Sequence, residues 1–254
     1  MKNKLLITFV IIFVIRPVLG FTILIDPGHG GEDDGARGRY YFAKKKWRLI
    51  KEKDIALSLS KKIHEQLQKK GFSSYLTRSV DRSVSLAERA EIAEKIEADL
   101  FISVHINSSD KSSPRGFETY YLDNHDDSAV KKVEQVENKD LKGEELIINK
   151  ILTDLVISRT VTSSKGLATS IHARIHDKVG KKYKMKDRGV KPGLFYVLAL
   201  TKRPAILLEV GFLSNSKELA KMLKDDLQDS YALAVADGIQ DYLKKQTKIE
   251  PSLL

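Results

Sequence analysis

Four side chains of this sequence stand where chemistry could be done. His29 lies in Asp26-Pro27-Gly28-His29-Gly30-Gly31, directly after the apolar, β-branched run 22–25. Proline cannot donate to a ladder and glycine opens φ > 0, so a strand ends there and His29 follows its C-terminal end. Open α/β sheets place ligands at that edge. His105 likewise follows the apolar run 99–104, and Glu209 closes the apolar run 205–209. A carboxylate that ends a buried strand is destabilising by several kcal/mol unless it is paired or bonded to metal. Glu209 is therefore the least ordinary acid of the chain. Glu52 opens a helix. Two imidazoles and one carboxylate with an open water position form a catalytic zinc pattern. Taken singly, each residue has a plainer reading: a turn histidine bonded to backbone, or a glutamate that complements a helix dipole, worth about 0.3–1 kcal/mol. Only a fold that gathers them favours the metal.

The elements that would do the gathering alternate. Residues 52–70 read as a helix, with Ile55, Leu59, Ile63 and Leu67 on one face and Gly71 as its stop. Residues 73–78 read as a strand. Ser85 caps a helix over 86–97, with Glu88 completing a capping box. Residues 99–104, 116–122, 193–200 and 205–209 read as strands, and 217–223 and 227–243 as helices. Residues 32–49, glycine-rich and then basic and aromatic, read as a long loop at the mouth of the site. Residues 123–165 break the rhythm and read as a helical insertion, with Ile148, Ile151, Leu152 and Leu155 on one face. His172 and His176 have a metal-ligand spacing on a helix, but no Glu follows His172 as in His-Glu-x-x-His, so they read as two solvated histidines. His64 reads as a surface residue. The pattern predicts an α/β single domain: a mostly parallel or mixed central sheet flanked by helices, with a helical insertion.

The chain has 254 residues, 42% hydrophobic and 31% charged, a globular composition with an ample core. It has no cysteine, which excludes disulfides, thiolate nucleophiles and Cys-ligated zinc. The formal net charge of +10 favours anionic partners. The cations are spread, and no nucleic-acid-binding signature accompanies them, so nucleic acid is not the expected partner. Residues 1–20 read as a signal peptide: Lys2 and Lys4, the apolar run 5–15, then Val18-Leu19-Gly20. That run is shorter than the roughly 20 residues of a membrane span, so no permanent span is expected after its removal. An exported protein of the periplasm or cell envelope follows.

The chain also resembles the zinc-dependent N-acetylmuramoyl-L-alanine amidases of the bacterial cell wall. The runs that carry the resemblance are Ile25-Asp-Pro-Gly-His-Gly-Gly31, Glu52-Lys-Asp-Ile-Ala-Leu57, Thr77-Arg78, Ser85-Leu-Ala-Glu-Arg-Ala90, Ala98-Asp-Leu-Phe-Ile-Ser-Val-His-Ile-Asn107, Asp187-Arg-Gly-Val-Lys191 and Leu208-Glu-Val-Gly-Phe-Leu-Ser-Asn215. They occur in family order. The resemblance implies one Zn²⁺ held by His29, Glu52 and His105, with Glu209 as the catalytic carboxylate and Asn107 as a substrate-binding candidate. The implied reaction is hydrolysis of the amide between N-acetylmuramic acid and L-alanine of the peptidoglycan stem, in wall remodelling and daughter-cell separation. It also implies a catalytic domain over 21–245 and a C-terminal tail over 246–254. In the daughter-cell-separation subgroup a helix in the insertion covers the metal until a partner displaces it. Here the resemblance makes residues 123–165 an autoinhibitory element, with Glu137 or Glu134 as its metal-blocking residue and an activator protein as its partner. The rivals are a non-catalytic peptidoglycan-binding protein on the same fold and a zinc peptidase that cuts within the stem.

Overall fold

In the computed structural model, residues 21–44, 46–139 and 144–249 are described, without the side chains of 144–151 and 247–249. The expected signal peptide at 1–20 lies outside them. In chain order the elements are β1 (Thr22–Pro27), β2 (Arg37–Ala43), β3 (Lys46–Lys51), α1 (Glu52–Lys69), β4 (Ser73–Leu76), α2 (Leu86–Lys95), β5 (Leu100–Asn107), β6 (Phe117–Leu122), α3 (Ser128–Glu137), α4 (Glu144–Ile175), α5 (Lys181–Tyr183), β7 (Asp187–Gly193), α6 (Tyr196–Leu200), β8 (Ala205–Phe212), α7 (Ser216–Met222) and α8 (Asp225–Ile249). A π-helical turn, His176–Gly180, joins α4 to α5.

Six strands form one mixed sheet in the order β4-β1-β5-β8-β6-β7. The pairs are parallel except β6 with β8. Successive residues alternate between the two faces, as a pleated strand requires. Ile23, Ile25, Leu100, Ile102, Val104, Ile206 and Leu208 pack on the side of α1, α8 and the later turns of α4. Leu24, Phe101, Ala205 and Leu207 pack on the side of α2 and α6. With both faces covered, β1, β5 and β8 are apolar almost throughout, and their polar residues gather at the C-terminal ends.

Three expectations are corrected. Residues 37–51 form an antiparallel hairpin, β2 with β3, and not a loop. Its inner face carries Gly38, Tyr40 and Ile50, and its outer face the exposed Tyr41, Trp47 and Leu49. Basic residues on the exposed positions hide this period of two. Residues 194–200 are apolar, but β7 ends at Gly193 and α6 begins at Tyr196. Short apolar runs suit either element. Here Glu134 takes the backbone N–H of Leu194 and Asn138 that of Tyr196, so the chain turns instead of extending. In α4, Leu152 and Leu155 are exposed while Thr153, Val156, Ile157 and Thr160 are buried. The side chains of Ile148 and Ile151 lie outside the described set. The buried stripe continues through Ser164, Leu167, Ala168, Ile171 and Ile175, so the whole length of α4, running past 165, sets the face.

Candidate metal centre

The parallel order places the ends of β1, β5 and β8 side by side. β5 lies between the other two, and His105 is in register with Glu209. His29 comes two residues after β1, and Glu52 is the first residue of α1, delivered by β3. His29 has φ +58, the left-handed region that an L residue enters at about 1–2 kcal/mol. What holds it there is a clasp of two buried arginines. Arg89 donates to the carbonyls of Pro27 and His29, each at 3.1 Å, and pairs with buried Asp26. Arg78 donates to the carbonyls of Pro27, Gly28 and Lys53 at 3.0, 2.8 and 2.9 Å. Asp26 also accepts from Thr77 and Ser103. Its own burial opposes ionisation, but Arg89 and these two hydroxyls hold its carboxyl below the usual range.

The donor atoms converge. His29 Nε2 is 3.1 Å and His105 Nδ1 3.2 Å from Glu52 Oε1. From α3, Glu137 brings Oε2 to 2.9 Å from His105 Nδ1 and 3.6 Å from His29 Nε2. All four groups offer ligand atoms within 4.8 Å of one another. Four donors tetrahedrally placed around zinc at about 2.0–2.1 Å stand about 3.3 Å apart, so the spacing fits that ion. The hydrogen bonding fits it as well. Asp33 Oδ2 lies 2.7 Å from His29 Nδ1, which directs the lone pair of Nε2 into the cluster. Although close to Glu52, that buried Nε2 makes no hydrogen bond. Glu52 accepts from the backbone N–H of Ala36 and Ile106, both at 2.8 Å, which fixes the carboxylate. A Cβ on Gly28 would meet the His105 ring at 2.5 Å, and one on Gly35 would meet His29 at 2.5 Å, so backbone wraps the cluster tightly.

Electrostatics follow from the packing. Burial pulls the imidazole of His29 down, but Glu52 and the Asp33 hydrogen bond outweigh it and push it up to about 9. Burial likewise works against His105, and Glu137 and Glu52 push it up to about 10. Burial works to raise Glu52, yet the two histidines hold it well below the carboxylate range. Glu209 is different. It is 1% exposed, and neither carboxylate oxygen has a hydrogen-bond partner. Burial first, then Glu137, Glu52 and Glu118, raise it well above an ordinary glutamate.

The remaining expected residues separate. Asn107, at the end of β5, lines the cleft beside Glu209 and points Nδ2 at Glu118 Oε1, 3.4 Å away. Glu134 does not reach the cluster: it meets His125 Nε2 at 2.6 Å and the backbone N–H of Leu194. His172 and His176 also stay away and share Asp187, each at 2.8 Å. His172 is buried against Thr119 and Phe117, so it is a core histidine and not a solvated one. His64 bonds Ser74. The clasp of Arg78, Arg89 and Asp26, the orienting Asp33 and the buried Glu118 were not assigned roles from the sequence. Residue type flags a buried arginine only once the burial is known.

The family profile described as N-acetylmuramoyl-L-alanine amidase matches residues 23–241. The chain is 32% identical over 229 residues to N-acetylmuramoyl-L-alanine amidase LytC of Bacillus subtilis (strain 168), covering 90% of this chain and 37% of LytC. It thus spans little more than a third of that relative. Among solved structures, the catalytic domain of CwlV, an N-acetylmuramoyl-L-alanine amidase from Bacillus (Paenibacillus) polymyxa var. colistinus, is 31% identical with a TM-score of 0.62, over 89% of this chain and 99% of CwlV's. The CwlD amidase of Clostridioides difficile, solved in complex with the GerS lipoprotein, is 27% identical with a TM-score of 0.64, over 89% of this chain and all of CwlD's. The matched span holds all six strands of the sheet but for Thr22, and every residue of the cluster: this chain belongs to the N-acetylmuramoyl-L-alanine amidase family.

Proposed function

We propose that this protein hydrolyses the amide between N-acetylmuramic acid and L-alanine in peptidoglycan, using one Zn²⁺. The observation that carries the reading is the meeting of His29, Glu52 and His105 donors at metal spacing beside a buried glutamate with two free oxygens. His29, Glu52 and His105 would hold the ion. When bound, zinc polarises the scissile carbonyl and lowers the pKa of a water to about 7. Glu209 accepts the proton of the attacking water on one of its unpartnered oxygens and passes it to the leaving amide nitrogen. Burial and the neighbouring carboxylates strengthen its hold on that proton, which it then delivers to the leaving nitrogen. Asn107, fixed at the rim, orients a substrate carbonyl.

Glu137 stands where it would supply a fourth ligand to that ion. We read α3 as an autoinhibitory element and the described chain as its closed form. Glu137 and not Glu134 is the blocking residue. Glu134, together with Asn138, latches the helix to the start of α6: Asn138 donates to the carbonyl of Leu194 at 2.7 Å and accepts from the N–H of Tyr196 at 3.0 Å. An activator protein that lifts α3 would open the site. CwlD's association with a lipoprotein supports a partner of that kind. The role in daughter-cell separation, the catalytic domain over 21–245 and the export to periplasm or envelope directed by 1–20 belong to the same proposal.

The test is metal content with product mass after digestion of purified sacculi. Zinc near one equivalent and release of intact stem peptide are expected. Fragments cut within the stem would indicate a peptidase, and no product from the zinc-loaded protein or from its unblocked Glu137→Ala variant a non-catalytic binder. Glu209→Gln should keep its zinc and lose about 10²–10⁴-fold in turnover, the range for a general acid–base residue. Activity within a few-fold of wild type would remove Glu209 from the chemistry.

A further inference from the structure

Beside Glu209 the cleft holds a charge arrangement that the hydrolytic step does not use. Glu118, in β6, is 1% exposed and faces Glu209 directly across the β6–β8 pair. Its oxygens are saturated: Oε1 accepts from Arg188 Nε at 2.6 Å, and Oε2 accepts from Tyr120 OH at 2.9 Å and from Lys191 Nζ. One buried anion therefore carries two cations. The guanidinium of Arg188 is further fixed by stacking 5.1 Å from the Phe212 ring centre. Its Nε is spent on Glu118. Among the described residues, no acceptor meets its two Nη groups. Arg188, Lys191 and Phe212 line a cavity of about 430 Å³ that also touches Glu52, Asn107 and Glu209. The cleft on the other side of the histidines, about 240 Å³, is walled by Ser83, Val84, Ser85 and Leu86, and its two cations, Arg89 and Lys139, are paired with Asp26 and Asp33. A preset guanidinium fork with a net positive surplus is a carboxylate site, because it can offer two parallel N–H donors without being ordered first.

Resting on the amidase reading, we infer that Arg188 and Lys191 bind the free α-carboxylate of the second stem residue, the γ-linked D-glutamate. The sugars on the glycan side of the scissile amide are neutral, so the substrate's carboxylates lie on its peptide side. The cavity that holds the Arg188 and Lys191 corner is then the peptide side, and the opposite cleft faces the sugar. Length agrees. A carboxylate two residues from the scissile carbonyl is about 7 Å along an extended chain. Arg188 is one strand pair, about 5 Å, plus one hydrogen-bonded side chain from Glu209. The pair therefore sets specificity: a stem whose second residue is amidated loses the charge that the fork reads.

The experiment uses the full zinc-loaded chain and two synthetic substrates. These are N-acetylmuramoyl-L-Ala-γ-D-Glu-L-Lys-amide and its counterpart in which the α-carboxylate of the second stem residue is amidated. Wild type should prefer the free carboxylate by about tenfold or more in kcat/KM, as a charge-assisted bidentate contact warrants. Arg188→Gln should bring that ratio to about threefold or less, and Arg188→Lys, which keeps a partner for Glu118, should fall between. Calorimetric binding of the two free tripeptide amides gives a second readout that needs no turnover, with the same preference expected and the same loss. Equal use of both substrates by wild type, or an unchanged ratio in both Arg188 variants, overturns the inference and leaves the amidase reading intact. Cleavage of neither substrate at the lactyl amide, by the wild-type chain or by the Glu137→Ala variant that lacks the blocking carboxylate, overturns the amidase reading, and the peptide titration then decides the subsite by itself.

Discussion

Asn138→Ala should activate this protein, although Asn138 touches neither the histidines nor Glu209. Its side chain makes two hydrogen bonds to the start of α6, at 2.7 and 3.0 Å, and both belong to the closed position of α3. Each is worth about 0.5–1.5 kcal/mol net. Their loss shifts the balance between closed and open α3 by about 1–3 kcal/mol, or about 5- to 150-fold in the open population, provided the closed form still dominates. Basal hydrolysis of purified sacculi by the zinc-loaded chain should rise by that factor, with zinc content unchanged. Glu137→Ala removes the block itself, including a 2.9 Å charge-assisted contact to His105, and should raise the rate at least as far. The two should not add in the double variant once the open form predominates. A fully closed element also predicts that an activator accelerates wild type far more than Asn138→Ala. If both single variants, still folded and zinc-loaded, hydrolyse sacculi at the wild-type rate or below, α3 is a packing helix and the autoinhibition reading fails.

Three further outcomes follow from the same geometry. Gly28→Ala places a methyl 2.5 Å from the His105 ring, so the ring must move; zinc affinity measured by competition with a chelating dye should fall at least tenfold, and wild-type affinity would show that the ring tolerates displacement. Arg89→Leu leaves Asp26 buried without its cation and should destabilise the fold by about 3–5 kcal/mol in urea unfolding, whereas a loss below about 1 kcal/mol would deny the clasp its role. The third concerns pH. In the metal-free protein His29 and His105 are raised from 6.5 to about 9 and about 10, so their pairing with the carboxylates stabilises the fold fully below pH 6.5 and is lost as pH rises through 9–10. Zinc requires both rings neutral, so its apparent affinity should strengthen from pH 6 to 9 with proton release on binding, measured by calorimetry in buffers of different ionisation enthalpy. A pH-independent affinity without proton release would refute the charged pair of rings.

Much of this protein is legible along the chain, because apolar runs that stop at a proline, glycine or carboxylate report strand ends whatever their neighbours do. The runs ending near His29, His105 and Glu209 mark β1, β5 and β8, and Ser85 caps α2 through the N–H of Glu88 as its capping box predicts. What the chain could not show was adjacency. Strand order makes His105 and Glu209 register partners, and Glu118, two strands from His105, becomes a neighbour of Glu209 only because β6 runs antiparallel to β8. Local pattern also failed where solvent and tertiary contact decide together. The basic hairpin at 37–51 hides its alternation, the apolar run 194–200 turns because α3 claims its N–H groups, and the buried stripe of α4 is set by the full helix against the sheet. Charges that sit far apart in sequence have no preferred partner until packing removes water between them. Arg78 and Arg89 on the His29 turn, and Arg188 and Lys191 on Glu118, are therefore decisions of the tertiary structure, while the placement of His29 and Glu52 at element ends was already written in residue type and order; His105 and Glu209 end their apolar runs as expected, but β5 and β8 carry them inside the strands and run on to Asn107 and Phe212.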